Sequence, residues 1–141
     1  MSFGKRLEEL VNEKNTQVEL LKFLDIKDNS IFYSWVNETK GISLENAYKI
    51  AKFYKCSLDY LFCRTEEPDA SNNTKTPNFG KQLKLILNKK KISQYKICKD
   101  CKISSSSMFN WTHGNVSPNM SSIIKIADYL NESIDYLIGI E

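Results

Sequence analysis

The chain is short of the residues that most chemistry needs. It has one histidine, His113, and its five glycines stand apart at positions 4, 41, 80, 114 and 139. No GxxxxGK[ST] phosphate loop, GxSxG elbow or HExxH zinc helix is present. No apolar run approaches the ~18 residues that a membrane span requires, and the opening residues Met1-Ser2-Phe3-Gly4-Lys5-Arg6 hold no apolar signal segment. Without a secretory signal, the four cysteines (Cys56, Cys63, Cys98, Cys101) are expected as reduced thiols. Neither sign of charge dominates: 20 Lys and Arg against 17 Asp and Glu leave a net +3, too mild to demand a polyanionic partner. These absences predict a cytoplasmic chain that is not an enzyme and carries no cofactor.

What is present is a folded chain that repeats itself. Hydrophobic residues at 41% and charged residues at 26% exclude whole-chain disorder, and 141 residues suffice for one ordinary domain or two very small ones. Phe3-Gly4-Lys5 recurs as Phe79-Gly80-Lys81, an offset of 76. Trp35 recurs as Trp111, Lys49-Ile50-Ala51 as Lys125-Ile126-Ala127, and Ser57-Leu58-Asp59-Tyr60-Leu61 as Ser133-Ile134-Asp135-Tyr136-Leu137, all at 76. Thr16-Gln17 matches Ser93-Gln94 at 77 instead, and the first copy regains one residue between Leu24 and Trp35. Two compensating slips inside one frame indicate an ancient duplication.

The expected domains are therefore 1–64 and 78–141. Residues 65–77, nearly free of apolar side chains and holding Pro68 and Pro77, read as a linker. A flexible chain of this length spans ~20 Å root-mean-square and at most ~45 Å fully extended, so both copies could reach sites one DNA turn apart.

Each copy reads as five short helices. Leu7, Leu10 and Val11, like Leu83, Ile86 and Leu87, form an i, i+3, i+4 stripe. Thr16 with Glu19 has the form of a capping box opening the second helix, and Ser93 caps its equivalent, whose inner face carries Ile97, Cys98 and Cys101. The third helix of copy 2 opens in the run 104–107 and turns Met108 and Trp111 inward. Ser117-Pro118, as N-cap and first-turn proline, is expected to open the fourth. Ser57 and Ser133 cap a final turn, each followed by an Asp in the first turn. No strand-like alternation is found, so the fold class is all-α.

Copy 2 resembles the phage-repressor and Cro (XRE-like) helix-turn-helix family. The matching residues are Ser93-Gln94-x-x-Ile97-Cys98, Ile103-Ser104, Met108-x-x-Trp111-x-x-Gly114-x-x-x-Pro118 and Ile126-Ala127-x-x-Leu130. Copy 1 follows more loosely. The resemblance implies tandem five-helix domains, each presenting its third helix to the DNA major groove. It also implies a transcriptional regulator of phage, prophage or mobile-element type in a bacterial cytoplasm or nucleoid, acting as a repressor by promoter occlusion. One family feature is missing. An Arg late in helix 1 commonly pairs with a Glu just after helix 3, whereas here the positions hold Leu87 with Thr112 and Val11 with Val36. Losing both partners leaves no stranded charge, so the fold is expected to survive.

By resemblance, base reading falls on Ser104, Ser105, Ser106 and Asn110, and phosphate bracing on Gln94. The basic cluster Lys89, Lys90, Lys91, Lys96, Lys99 and Lys102 lies beside them. The corresponding residues of copy 1 are Gln17, Lys27, Asn29 and Ser34, but Asp25 and Asp28 intrude. Residues 1–64 hold ten basic and nine acidic side chains, whereas 77–141 hold nine and five. Copy 2 is thus the stronger candidate for double-stranded DNA, with modest sequence discrimination expected, since hydroxyls discriminate bases weakly and only Asn110 offers a bidentate pair to adenine. The family commonly binds as twofold dimers, which implies a homodimer. Cys98 and Cys101 form a CxxC, but they align with the inward Leu21 and Leu24 and read as core, with a metal or redox role as the alternative. Tyr33 and Phe109 are expected to point outward, flanked by inward Phe32 and Met108. Together with near-neutral copy 1, they leave open a protein-binding module (an antirepressor, antitoxin or phage-encoded inhibitor) as the alternative function.

Overall fold

A computed structural model describes residues 2–68 and 76–140, and the middle of the expected linker lies outside these residues. The chain divides into two compact units, Met1–Ser71 and Asn72–Glu141. The first contains α1 (Phe3–Lys14), α2 (Gln17–Phe23), α3 (Asn29–Val36), α4 (Leu44–Tyr54) and α5 (Leu58–Leu61). The second contains α6 (Phe79–Lys90), α7 (Gln94–Cys101), α8 (Ser105–Thr112), α9 (Met120–Leu130) and α10 (Ile134–Leu137). The described residues form no strand, and none of their helices is long and apolar enough to cross a membrane.

The helices are short, so tertiary burial rather than propensity holds them. In the first unit Leu7, Leu20, Ile50, Leu58 and Leu61 are fully buried; in the second, Leu83, Ile86, Ile97, Met108, Ile123 and Ile126 are. Polar residues then mark the boundaries. Ser43, Ser57, Ser93, Ser104 and Ser133 each accept a hydrogen bond from the backbone N–H three residues on, closing a helix start worth about 1 kcal/mol. Asn15, Lys55, Lys91, Lys102 and Asn131 end helices in the left-handed region.

Two helix starts differ from the sequence expectation. Thr16 makes no capping bond to α2. Its hydroxyl pairs instead with the Tyr54 hydroxyl at 2.9 Å, a partner 38 residues away. The equivalent of Tyr54 in the second unit is the buried Leu130, so Ser93 has no such competitor and does cap α7. The fourth helix of the second unit begins two residues later than Ser117-Pro118 suggests. Asn119 caps it, accepting from the N–H of Ser122 at 3.0 Å. Pro118 then occupies the position before the cap and Ile123 the fourth helical position, both buried, which is the pattern of a hydrophobic staple.

The repeated Phe-Gly-Lys has a packing cause. A Cβ on Gly4 would stand 2.1 Å from the Val36 carbonyl oxygen, and one on Gly80 the same distance from that of Trp111. The first helix of each unit therefore runs against the backbone at the end of the third.

Elsewhere the units solve one problem with different chemistry. Phe23 of α2 packs on Phe53 of α4 with ring centroids 5.4 Å apart. The matching pair in the second unit is Asp100 of α7 and Tyr129 of α9, where the tyrosine hydroxyl donates to the carboxylate at 2.5 Å. Similarly, buried Arg6 sits 3.9 Å over the Tyr60 ring and pairs with Glu66 at 3.6 Å. Its counterpart Gln82 donates to the Tyr136 carbonyl at 2.9 Å. Glu66 and Pro68, both within the expected linker, belong to the packing of the first unit, since the Ser57 N–H also donates to the Pro68 carbonyl.

Candidate nucleic-acid interface

In the second unit, residues 102–104 join α7 to α8. Lys102 ends α7 in the left-handed conformation, φ 56°, and the N–H of Ile103 returns to the Cys98 carbonyl at 2.9 Å. Ser104 then caps α8. The result is two helices held across a three-residue turn. In the first unit the connection is longer, residues 24–28, and α2 is one residue shorter than α7. Asp25, φ 57°, takes the place of Lys102, and Asp28 that of the cap Ser104.

The missing family ion pair leaves no buried defect. Leu87 and Val11 are buried, and the buried Thr112 hydroxyl donates to the Met108 carbonyl at 2.9 Å. Met108 and Trp111 face inward, as do Phe32 and Trp35. The outer arc of α8 carries Ser105, Ser106 and Phe109 exposed and Asn110 half-buried.

Several proposed reading residues are already engaged. The Ser104 hydroxyl accepts from the Ser107 N–H at 3.0 Å and donates to the Ser107 hydroxyl at 2.9 Å, so its side chain serves the helix start. Asn110 accepts from the Asn115 amide at 3.5 Å through Oδ1, which leaves its own Nδ2 donors for other partners. Ser105, Ser106 and Gln94 are exposed. Beside Gln94, Tyr95 is 77% exposed, a residue that the sequence pattern did not single out.

The lysines lie at the end of α6, on α7 and in the turn before α8. Lys89, Lys91, Lys99 and Lys102 are exposed, Lys90 pairs with Glu132 at 3.4 Å, and Lys96 with Asp100 at 3.3 Å. Asp100 has its carboxyl held below the usual range, first by the Tyr129 hydroxyl and then by Lys96. Such exposed pairs are weak, so the contact with Asp100 does little to hold Lys96 in place.

In the first unit, the Gln17 amide donates to the Tyr33 hydroxyl at 3.5 Å, tying α2 to α3. The Ser34 hydroxyl donates to the Ile31 carbonyl at 2.6 Å. Lys27 and Asn29 are exposed, but beside Asp28, whose carboxyl is held low by the backbone and side chain of Ser30 and therefore stays charged. Val18, Ile31 and Tyr33 are exposed apolar groups on the same two helices.

With this geometry in place the comparison with known families is informative. Residues 82–141 match the family model of the Cro/C1-type HTH DNA-binding domain. The second unit is thus similar to a helix-turn-helix domain of this type, and α7 and α8 lie within the matched residues. No curated protein and no solved structure gives a match. The cysteines of this helix-turn-helix are core-like: Cys101 is buried and Cys98 half-buried, both free thiols pushed up in pKa by burial. Among the described residues no three His, Cys, Asp or Glu side chains gather as a metal site requires.

Proposed function

We propose that the protein is a DNA-binding transcriptional regulator that represses by occupying a promoter, in the manner of a phage or prophage repressor. The match of residues 82–141 to a DNA-binding helix-turn-helix is the observation that carries this reading. In it, α8 enters the major groove, Ser105, Ser106 and Asn110 meet base edges, and Gln94 meets the phosphate backbone. Lys89, Lys90, Lys91, Lys96, Lys99 and Lys102 supply the field that draws the duplex in. The domains are 1–64, extended by the packing of Glu66 and Pro68, and 78–141, and the first serves dimerisation or a second half-site. Selection of bound duplexes from a random pool by the full chain, followed by salt titration, tests this. An enriched motif whose affinity falls steeply with salt supports it. Failure to bind any duplex at low salt rejects it.

A second reading assigns the first unit to a protein partner. What favours it is the acid at the turn: Asp25 stands where the second unit has Lys102, with Asp28 beside exposed Ile31 and Tyr33. Replacing Gln94 and Lys96 by Ala distinguishes the roles, since it removes DNA binding and spares binding through the first unit. Sedimentation velocity tests the dimer, and a monomer at all concentrations rejects it.

A further inference from the structure

The polar residues of α8 leave its exposed arc short of discriminating chemistry. Ser104 is spent on its helix cap, Ser105 and Ser106 offer single hydroxyls, and Asn110 shares its oxygen with Asn115. Phe109 is different. It is 55% exposed in the middle of that arc, one turn on from Ser105 and Ser106.

The ring is also held in place. His113, one turn later, stacks on it with centroids 3.9 Å apart and planes 23° from parallel. The imidazole is anchored in turn, with Nδ1 2.8 Å from the Phe109 carbonyl. A carbonyl only accepts, so Nδ1 carries the proton and donates. One face of the phenyl ring is thus covered by a tethered neighbour while its remaining surface stays open to solvent. The corresponding Tyr33 of the first unit is built otherwise: its hydroxyl receives the Gln17 amide, and Asn37 replaces the histidine.

Resting on the regulator reading above, we propose that Phe109 is a specificity-determining residue that reads the 5-methyl group of a thymine, with His113 as its positioning residue. In the major groove the thymine methyl is the one apolar feature among the base edges, and a phenyl ring has nothing to offer the hydrogen-bonding groups around it. A ring already stacked before binding loses little side-chain freedom on docking, so the contact retains most of its worth. Lys96 and Lys99 on α7 and Lys102 in the turn that leads into α8, all exposed, favour a polyanion over an apolar protein surface as the partner.

The test uses the full chain and a duplex enriched from a random pool, with each thymine replaced in turn by deoxyuridine, which removes only the methyl. Wild type is expected to lose about three- to fivefold in affinity at one thymine per half-site, the worth of one buried methyl. Phe109→Ala should bind the thymine and uracil duplexes equally at that position. Its fold is checked by circular dichroism, and Phe109→Leu, which keeps an apolar side chain, should retain part of the discrimination. His113→Ala should reduce the thymine-to-uracil ratio without changing the salt dependence, which a merely structural role would not do selectively. A wild type indifferent to every uracil substitution, or a Phe109→Ala variant as sensitive as wild type, overturns the proposal while leaving the regulator reading intact. A pool that yields no bound duplex overturns both.

Discussion

Gly80 lies against the backbone of Trp111 so closely that a Cβ on it would meet the carbonyl oxygen at 2.1 Å, and Gly4 stands in the same relation to Val36. Alanine is ordinarily favoured over glycine within a helix by about 1 kcal/mol. Here the obstacle is backbone rather than the end of a flexible side chain, so the steric cost dominates. Gly80→Ala and Gly4→Ala are each expected to destabilise their unit by about 1–3 kcal/mol, seen as a lower urea midpoint. A midpoint that rises would show that helix propensity wins and that the close approach relaxes freely.

Arg6 is buried over the Tyr60 ring, with Glu66 3.6 Å from its guanidinium. Truncation to Ala removes the cation–π contact and the packing of its stem, an expected loss of about 1–3 kcal/mol by urea denaturation. Arg6→Gln should lose less, because Gln82 already fills the equivalent place by donating to the Tyr136 carbonyl. Equal losses for the two substitutions would contradict this.

The Tyr129 hydroxyl, donating to Asp100, has its pKa pushed up to about 12 by that bond first and by burial second. The folded value is raised, so the bond's contribution is complete below the ordinary tyrosine range and is lost as pH rises through about 12. Asp100 moves the other way: its folded value is depressed, and its share is lost as pH falls through that value. Ultraviolet titration of tyrosinate should show late ionisation, to which Tyr54 also contributes because burial raises its pKa, and Asp100→Asn should return the Tyr129 share toward an ordinary tyrosine. An unchanged titration curve would place the proton elsewhere.

Glu19 and Asp25 occupy the positions of Lys96 and Lys102. If those acids keep the first unit off DNA, replacing both by Lys should raise duplex affinity at low salt. The slope of log K against log salt should steepen by about one for each phosphate newly contacted. No change in slope would mean that this face does not meet phosphate even when basic.

Much of this architecture was legible from spacing because local rules govern it. The offset of 76, the apolar stripes, and the caps at Ser57, Ser93 and Ser133 depend on residues within one or two turns. What sequence reasoning missed depends on distant partners. Thr16 has all the local marks of a cap, yet its hydroxyl is claimed by Tyr54 across the fold. Ser117-Pro118 and Asn119 both suit a helix start, and the packing of Pro118 decides for Asn119. Of the exposed arc of α8, the residue types were visible in the sequence, but not that Ser104 is occupied or that His113 covers Phe109. The repetition of Phe-Gly-Lys at identical spacing was the available signal for the two glycine contacts.

The divergence of Phe23 with Phe53 from Asp100 with Tyr129 bears on how such units can be recombined. The second and fourth helices of each unit form a matched set: an aromatic on one answers an aromatic on the other, or an acid answers a phenol. Grafting α7 alone into the first unit would set Asp100 against Phe53, a carboxylate with no hydroxyl to receive. Grafting it together with α9 would carry the partner along. Exchange of the second helix between the two halves of this chain therefore has a smallest workable piece, and it is that helix together with the fourth.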